Sequence, residues 1–220
     1  MFRFVKISPS IIAIDYNNDV ILSETIEKLQ NSLAKFIHID VMDGKFVKNR
    51  TFDHTFVQKV RSKTDLLLDV HLMVENPDSV IMDYINAGAD ILTVHKEACT
   101  DIEKTLKKIR DNGCLAGVSI SPGTEVREIE YLIENGLVDL VLVMGVEPGA
   151  CGQEFKYETA LKVSEIRDLD KSVEIEVDGG INVKNARMLK KLGATILVSG
   201  ATIFNSKDIN ATIKQLRGRD

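Results

Sequence analysis

Cysteine and tryptophan are scarce in this 220-residue chain, which has three cysteines and no tryptophan. Cys99, Cys114 and Cys151 are odd in number, lie far apart and form no C-x-x-C pair. Disulfide frameworks use even numbers of cysteines, and thiolate zinc sites use closely spaced ones. We therefore expect neither kind of site. A reducing compartment fits this usage, which predicts a cytoplasmic protein.

Long apolar runs and an excess of basic residues are also missing. No segment reaches the roughly 20 apolar residues of a membrane-spanning helix, and the N-terminal segment lacks the features of a signal peptide. The 33 acidic side chains outnumber the 28 basic ones, which offers no broad attraction for nucleic acid. We expect no membrane or nucleic-acid partner. The 44% hydrophobic content predicts one globular domain over residues 1–220.

Apolar segments alternate with amphipathic segments along the whole chain, which predicts alternating strands and helices. The predicted strands are 2–8, 36–42, 66–74, 89–95, 115–120, 138–144, 173–179 and 194–200. The predicted helices are 22–33, 54–61, 79–87, 101–111, 125–135, 157–169, 183–192 and 207–216. About eight βα units favour a (β/α)8 TIM barrel. An open doubly wound sheet is the alternative, but no G-x-G-x-x-G turn follows the first strand.

Polar residues recur at alternate positions of three predicted strands. In "FIHIDVM" the purely aliphatic face must meet the helix layer, so His38 and Asp40 point into the barrel. Catalytic groups of barrels lie at the C-terminal strand ends, where such residues would gather. The same parity groups two further sets as inward-facing: Asp69, His71 and Met73 in the third strand, and Glu174, Glu176 and Asp178 in the seventh.

A cluster of buried imidazoles and carboxylates favours a metal site. Burying unpaired carboxylates costs several kcal/mol, so the convergence of His38, Asp40, His71 and Asp178 requires a cation or a strong set of partners. We predict one divalent metal ion, Zn²⁺, Fe²⁺, Mn²⁺ or Co²⁺, because nitrogen ligands disfavour Mg²⁺ and Ca²⁺. For any one of these residues alone, an internal hydrogen-bonded network is an equally good interpretation. His95, also inward at a strand end, is predicted not to be a ligand.

Three glycine-bearing loops follow the last three predicted strands. They read "MGVEPGACGQEF", "DGGIN" and "SGATIF". In barrels the loops after strands seven and eight frequently bind a phosphate through backbone N–H groups and a helix N-terminus. The alternative is that these glycines only form tight turns. Their position on the last strands favours a phosphorylated substrate.

Several motifs together resemble those of the ribulose-phosphate 3-epimerase family. They are "ISPSI", "HIDVMDG", "DVHLMVENP", "AGVSISPGT", "VLVM", "EPG..GQ.F" and "EVDGGIN", in this order and along nearly the whole chain. The resemblance implies a TIM barrel of the ribulose-phosphate-binding type. It also implies an isomerase of the pentose phosphate pathway that acts on a small-molecule sugar phosphate. The oligomeric state stays open, with a homo-oligomer as one option.

The resemblance also implies roles for individual residues. His38, Asp40, His71 and Asp178 would bind the metal ion, and Asp40 and Asp178 would be the two acid–base groups. By position alone, ordinary packing would explain the methionines at the strand ends equally well. The residues that would contact or position the substrate are Ser10, His71, Met42, Met73, Met144, Gly149, Ala150, Cys151, Gly152, Gly179, Gly180, Gly200 and Ala201.

Departures from the usual family pattern concern the rim of the predicted site. They are Lys45 and Lys48 in "MDGKFVKN", Asp53 and His54 in "TFDH", Ala150 and Cys151 in "PGACGQ", and Ala201 after Gly200. Three hypotheses therefore stand: a D-ribulose 5-phosphate 3-epimerase, a 3-epimerase of another ketose phosphate such as allulose 6-phosphate, and a non-catalytic sugar-phosphate-binding relative. Retention of both carboxylates argues against the last, because a binder has no need for two of them on a metal.

Overall fold

The computed structural model describes residues 5–218, which form an eight-stranded parallel barrel surrounded by helices. Around the ring the strands follow the order β1-β8-β7-β6-β5-β4-β3-β2, and a parallel bridge between Ser10 and His38 joins the two ends of this sheet. The predicted (β/α)8 TIM barrel is thus confirmed. The strands are β1 (Lys6–Pro9), β2 (Phe36–Met42), β3 (Leu67–Met73), β4 (Ile91–His95), β5 (Leu115–Ile120), β6 (Leu140–Met144), β7 (Glu174–Asp178) and β8 (Ile196–Ser199).

Nine α-helices lie within the described residues, and several are preceded by a single turn of 3-10 helix. The α-helices are α1 (Asp19–Gln30), α2 (His54–Arg61), α3 (Ile81–Asn86), α4 (Ile102–Asp111), α5 (Glu130–Glu134), α6 (Ala160–Leu169), α7 (Val183–Leu192), α8 (Ala201–Phe204) and α9 (Ile209–Arg217). The 3-10 turns are Ile11–Ala13, Pro77–Ser79, Lys96–Ala98, Val126–Glu128 and Tyr157–Thr159.

Two helices have both of their predicted bounds, and the others differ from the prediction by a few residues. α2 and α7 have the predicted bounds, with Asp53 and Asn182 as their N-caps. α1 begins earlier than predicted because the Asn18 side chain accepts hydrogen bonds from the next backbone N–H groups. The helices predicted over 79–87, 125–135 and 157–169 each begin as a 3-10 turn, and α8 was not predicted. Residues 2–4 of the first predicted strand lie outside the described residues.

Apolar side chains pack on both faces of the strands. The larger cluster fills the space between the outward strand faces and the helices, and includes Ile37, Ile39 and Val41 of β2. A smaller cluster, which includes Phe36 and Leu142, fills the barrel interior. The outward aliphatic face predicted for β2 is therefore confirmed.

Within the described residues, no helix is long and apolar enough to cross a membrane. The single domain over residues 1–220 stays a prediction.

Strand register places the predicted inward residues side by side. Across β2 and β3, His38 pairs with Asp69 and Asp40 pairs with His71. The bridge that closes the barrel puts Ser10 next to His38. Because the strands are parallel, their C-terminal ends share one rim, and polar residues of equal parity form layers there.

Candidate active site

Four polar side chains meet at the C-terminal rim of the barrel: His38 and Asp40 from β2, His71 from β3 and Asp178 from β7. One potential ligand atom from each lies within 4.8 Å of the others. His38 Nε2 and His71 Nδ1 are each 3.2 Å from Asp40 Oδ1, and His71 Nδ1 is 4.0 Å from Asp178 Oδ2. The structure thus brings together the four predicted residues. Their role as ligands stays a prediction.

The surroundings of His38 fit a metal ligand. Its Nδ1 lies 2.7 Å from Asp69 Oδ2, while its buried Nε2 has no hydrogen-bond partner. Burial lowers the pKa of His38, but the carboxylates of Asp69 and Asp40 outweigh burial and raise this pKa well above its usual value. A positive charge is therefore strongly favoured beside Nε2, whether it is a proton or a metal ion. Nitrogen and oxygen donors together suit Zn²⁺, Fe²⁺, Mn²⁺ or Co²⁺.

A second buried cluster lies beneath His38. Asp69 Oδ2 accepts a hydrogen bond of 2.8 Å from Ser8 Oγ as well as its contact with His38. Glu176 Oε1 lies 3.9 Å from His38 Nδ1, and burial next to Asp69 raises the pKa of Glu176 well above its usual value. A neutral Glu176 avoids a second negative charge beside Asp69. Inward parity predicted these positions, but not their contact with His38.

His71 has a different set of partners. Its Nε2 lies 2.9 Å from Nε2 of His95, and Nδ1 of His95 lies 3.1 Å from Oε2 of Glu97. Both histidines are fully buried. Burial lowers the pKa of His95 to about 4, so this ring stays neutral near pH 7. His95 lies behind His71, and its role as a non-ligand stays a prediction.

The two candidate acid–base carboxyls have unequal environments. Burial raises the pKa of Asp40, but His38 and His71 outweigh it and hold this pKa well below its usual range. Asp40 Oδ2 also accepts a hydrogen bond of 2.6 Å from Ser10 Oγ. In the absence of a cation, burial and then the Asp40 carboxylate raise the pKa of Asp178 to about 7. The pair therefore combines a firmly ionised carboxylate with one that can hold a proton.

A cavity of about 210 Å³ opens above these groups. That volume is below the roughly 300 Å³ at which pockets for drug-sized ligands begin, so it suits a small ligand. His38 and His71 lie under its floor, and the predicted contact of His71 with substrate stays a prediction. Predicted site residues that line the cavity are Ser10, Asp40, Met42, Met73, Met144, Gly149, Ala150, Cys151, Gly152, Asp178, Gly179, Gly180, Gly200 and Ala201.

Methionines form an apolar part of this lining. Met42 and Met73 pack with Val47 in one buried cluster, and Phe46 packs against it. Met144 is the register partner of Asp178 across β6 and β7. Thioethers are polarizable and have no N–H or O–H donor to compete for a negatively charged group. They lie on the cavity wall beside the carboxylates, in agreement with the predicted position.

The glycine loops after β7 and β8 form the other end of the cavity. Gly179 and Gly180 both have left-handed backbone, with φ of 107° and 66°. The hydroxyls of Ser199 and Thr202 both donate to the carbonyl of Ile181, which ties the two loops together. Sequence analysis missed Ser199, Thr202 and Asn182 as lining residues, although each lies within two residues of a glycine of these loops.

Two loops meet at Gly149, which lines the cavity. Asn49 Nδ2 in the loop after β2 donates a hydrogen bond of 2.7 Å to the carbonyl of Gly149 in the loop after β6. No non-glycine residue between 5 and 218 has positive φ, so the second loop accommodates Cys151 without left-handed backbone there. Lys45 and Lys48 are exposed and lie outside the lining, while Asp53 serves as the N-cap of α2.

Sequence comparison gives relatives over nearly the whole chain. A model of the ribulose-phosphate 3 epimerase family matches residues 6–204. The chain is 41% identical over 219 residues to ribulose-phosphate 3-epimerase of Bacillus subtilis, which covers 97% of this chain and 99% of that protein. It is 39% identical over 225 residues to the chloroplastic ribulose-5-phosphate-3-epimerase of Arabidopsis thaliana, covering 98% of this chain and 78% of that protein.

Solved structures with the same architecture are more distant in sequence. 3-Hexulose-6-phosphate synthase from Salmonella typhimurium superposes with a TM-score of 0.66 at 16% identity, covering 97% of each chain. N-(5'-phosphoribosyl)anthranilate isomerase from Pyrococcus furiosus gives a TM-score of 0.62 at 14% identity, covering 98% of this chain and 96% of that one. At such identities the likeness shows the fold alone. The family match and the close relatives carry the assignment: the chain belongs to the ribulose-phosphate 3-epimerase family and is an isomerase that acts on carbohydrates.

Proposed function

We propose that this protein is a metal-dependent epimerase that interconverts D-ribulose 5-phosphate and D-xylulose 5-phosphate. The observation that carries the proposal is the placement of Asp40 and Asp178 in one small cavity. They reach it from β2 and β7, which are separated around the ring by β1 and β8. Two carboxyls from separated strands can approach a substrate from two sides. The names of the close relatives support this choice of substrate.

Inversion at C3 requires a proton to leave one face of the sugar and another to arrive at the opposite face. One aspartate accepts the C3 proton, and the electron pair left behind delocalises into the C2 carbonyl to give an enediolate. The other aspartate then donates a proton to C3 on the opposite face. The reaction is redox-neutral, and reversing the roles of Asp40 and Asp178 gives the reverse direction.

His38, Asp40, His71 and Asp178 are the residues that would hold the divalent cation. When bound, such a cation would polarise the ketose carbonyl and offset the negative charge of the enediolate. Ser10 donates to Asp40 Oδ2 and so leaves the other oxygen of this carboxyl facing the histidines. Met42, Met73 and Met144 limit water beside the reacting carbons.

The glycine loops would hold the phosphate. Gly179, Gly180 and Gly200 line the end of the cavity, and the short helix α8 begins directly after Gly200. Backbone N–H groups of such loops bind anions because no side chain hinders their approach. Anchoring the phosphate there would keep C2 and C3 beside the two aspartates, since the cavity is continuous between them.

The test is proton NMR of D-ribulose 5-phosphate with the metal-loaded protein in D₂O, beside a chelator-treated sample. We expect D-xylulose 5-phosphate that carries deuterium at C3, and only in the metal-loaded sample. Asp178→Asn is the matched variant, because an amide of equal size cannot accept or deliver the proton. It should lose inversion by about 10²- to 10⁴-fold.

Exchange without inversion makes this experiment sharper. In Asp178→Asn, Asp40 remains able to exchange the C3 proton of one epimer, so slow deuterium uptake without epimerisation is expected. If the protein epimerised allulose 6-phosphate but not the pentulose phosphate, allulose 6-phosphate would replace D-ribulose 5-phosphate as the proposed substrate. Absence of product and of exchange with every ketose phosphate would refute catalysis.

A further inference from the structure

Three side chains in series, His71, His95 and Glu97, connect the candidate metal centre with the protein surface. His71 Nε2 is 2.9 Å from His95 Nε2, and His95 Nδ1 is 3.1 Å from Glu97 Oε2. The two imidazoles are stacked, with ring centroids 5.0 Å apart and an angle of 25° between their planes. The Phe46 ring covers His95 at a centroid distance of 4.8 Å. Water is thus kept from both rings.

The loop after β5 holds Glu97, the outer member of this series of side chains. Glu97 Oε1 accepts hydrogen bonds from the Ser121 backbone N–H, at 2.8 Å, and from the Thr124 hydroxyl. The other oxygen, Oε2, is left to face His95. Only 28% of the Glu97 side chain is exposed. Its orientation is therefore determined by the fold and not by solvent.

Hydrogen-bond roles along this series follow from the carboxylate. An ionised carboxylate has no proton to give, so Nδ1 of His95 must donate to Glu97. Nε2 of a neutral His95 then carries a lone pair, and Nε2 of His71 must donate to it. In the metal-bound protein this leaves the lone pair of His71 on Nδ1, the atom 3.2 Å from Asp40 Oδ1. A cation between this nitrogen and the Asp40 carboxylate would take the place of the proton that Nδ1 donates to Asp40 without metal.

Hydrogen bonds that run in the opposite direction would prevent His71 from binding a cation. If His95 carried its proton on Nε2, His71 Nε2 would have to accept, and the proton of His71 would lie on Nδ1 beside Asp40. A metal ion could not bind at that nitrogen. One tautomer of His95 therefore decides whether His71 presents a lone pair or a proton to the centre.

We propose that His95 and Glu97 are positioning residues that hold His71 in the tautomer able to bind a metal ion through Nδ1. The inference rests on the proposed function and deepens it. Metal-binding histidines commonly donate their other ring N–H to a carboxylate or carbonyl, and that partner affects affinity. Here a second imidazole transmits the same constraint from Glu97, which never contacts the metal centre.

Glu97→Gln is the decisive variant. Its amide oxygen can still accept from Ser121, which places the NH₂ group at the former Oε2 position, where it donates to His95 Nδ1. The hydrogen bonds then reverse, and His71 Nδ1 becomes protonated. We expect the dissociation constant for Co²⁺, titrated by its visible absorption, to rise by about 10- to 100-fold.

The tautomers themselves give a readout that does not depend on activity. The chain has four histidines, so long-range ¹H–¹⁵N spectra of ¹⁵N-histidine-labelled protein can be assigned by single substitutions. In the wild type, His95 should be protonated at Nδ1 and unprotonated at Nε2. In Glu97→Gln this pattern should reverse.

Two matched variants separate positioning from general loosening. Thr124→Ala removes one support of Glu97 but leaves Oε2 beside His95, so Co²⁺ affinity should stay close to wild type. Asp139→Asn neutralises a carboxylate that accepts from the Ala116 backbone N–H at the opposite rim of the barrel, and it should not affect the metal centre.

Either of two results would overturn the inference. One is a wild-type His95 protonated at Nε2; the other is equal loss of Co²⁺ affinity in Thr124→Ala and Glu97→Gln. Failure of the proposed function is distinguishable, because tautomers and Co²⁺ affinity are measured without substrate. A wild type that shows the expected tautomers but no epimerisation would refute the reaction and leave the positioning role intact.

Discussion

Asp178 is the residue of the candidate metal centre whose protonation is most directly open to measurement, because its pKa lies near neutral pH. It lies in the cavity beside Asp40, and without a cation its pKa is raised to about 7, first by burial and then by Asp40. The histidines beside Asp40 keep that carboxyl ionised. The two carboxyls therefore differ in proton affinity although both lie in one small cavity, and of these two only Asp178 holds a proton with which a metal ion would compete.

Metal binding should release this proton at acidic pH. Below pH 7 the Asp178 carboxyl is largely protonated, so a cation that binds it must displace a proton. At pH 8 this carboxyl is already ionised, and no proton has to leave it. We expect wild type to release about one proton more than Asp178→Asn on binding Zn²⁺ at pH 6, and no more at pH 8. Calorimetric titration in buffers of different ionisation enthalpy measures this number.

The Asp178→Asn variant also controls for protons that the other predicted ligands release. His38 also has a raised pKa and can release a proton in both proteins, so only the difference between them reports on Asp178. Equal proton release by wild type and Asp178→Asn at pH 6 would mean that Asp178 is already ionised, or that it does not take part in binding.

At the level of single elements, the loop after β7 shapes the end of the cavity that Gly179 and Gly180 line. Gly179 combines φ of 107° with close packing, since an added Cβ would lie 2.4 Å from Val146 Cγ2 and 3.0 Å from the Val146 backbone N. Gly136, at the C-terminal end of α5, has φ of 62° and nothing within 4 Å of such a Cβ. The two positions differ in packing but share left-handed backbone.

Gly179→Ala and Gly136→Ala should therefore separate strain from steric overlap. Gly136→Ala is expected to cost about 1 kcal/mol of unfolding free energy, because alanine disfavours positive φ. Gly179→Ala should cost about 1–3 kcal/mol more, because the loop after β6 must also move away. Urea denaturation measures both. Equal costs would contradict the close approach of Gly179 to Val146.

For the whole molecule, the candidate metal centre joins distant parts of the ring. Its residues come from β2, β3 and β7, while Ser10 follows directly after β1 and β4 contributes His95 behind His71. Among residues 5–218, the ring closes between the first two strands through one bridge, Ser10 to His38, at this same rim. A cation bound there would connect strands on both sides of that closure.

Removal of the cation should accordingly lower the melting temperature. A ligand at 100 times its dissociation constant adds about 2.7 kcal/mol to stability, which for a chain of this size is about 5–10 °C. Scanning calorimetry of Zn²⁺-loaded protein with and without chelator tests this. In His38→Gln the shift should largely disappear; an undiminished shift there would place the bound cation elsewhere.

Local patterns in the sequence were sufficient for the architecture and for the direction of the site residues. Strand parity has a period of two residues, so "FIHIDVM" by itself determined that His38 and Asp40 share the face opposite the aliphatic residues. The starts of α2 and α7 at their Asp53 and Asn182 caps were also predicted correctly, whereas the start of α1 at its Asn18 cap was missed. The uncapped starts of α3 and α5 were not predicted correctly, because one turn of 3-10 helix is too short for its period of about 3.0 residues to be told from that of an α-helix.

Only the tertiary structure decided which of the inward residues touch. The pairing of His71 with His95, the support of Glu97 by Ser121 and Thr124, and the meeting of Asn49 with Gly149 join segments from 24 to 100 residues apart. Such contacts depend on the stagger between neighbouring strands and on barrel closure, which no local period encodes. The sequence determined what faces the interior, and the closed ring determined what meets there.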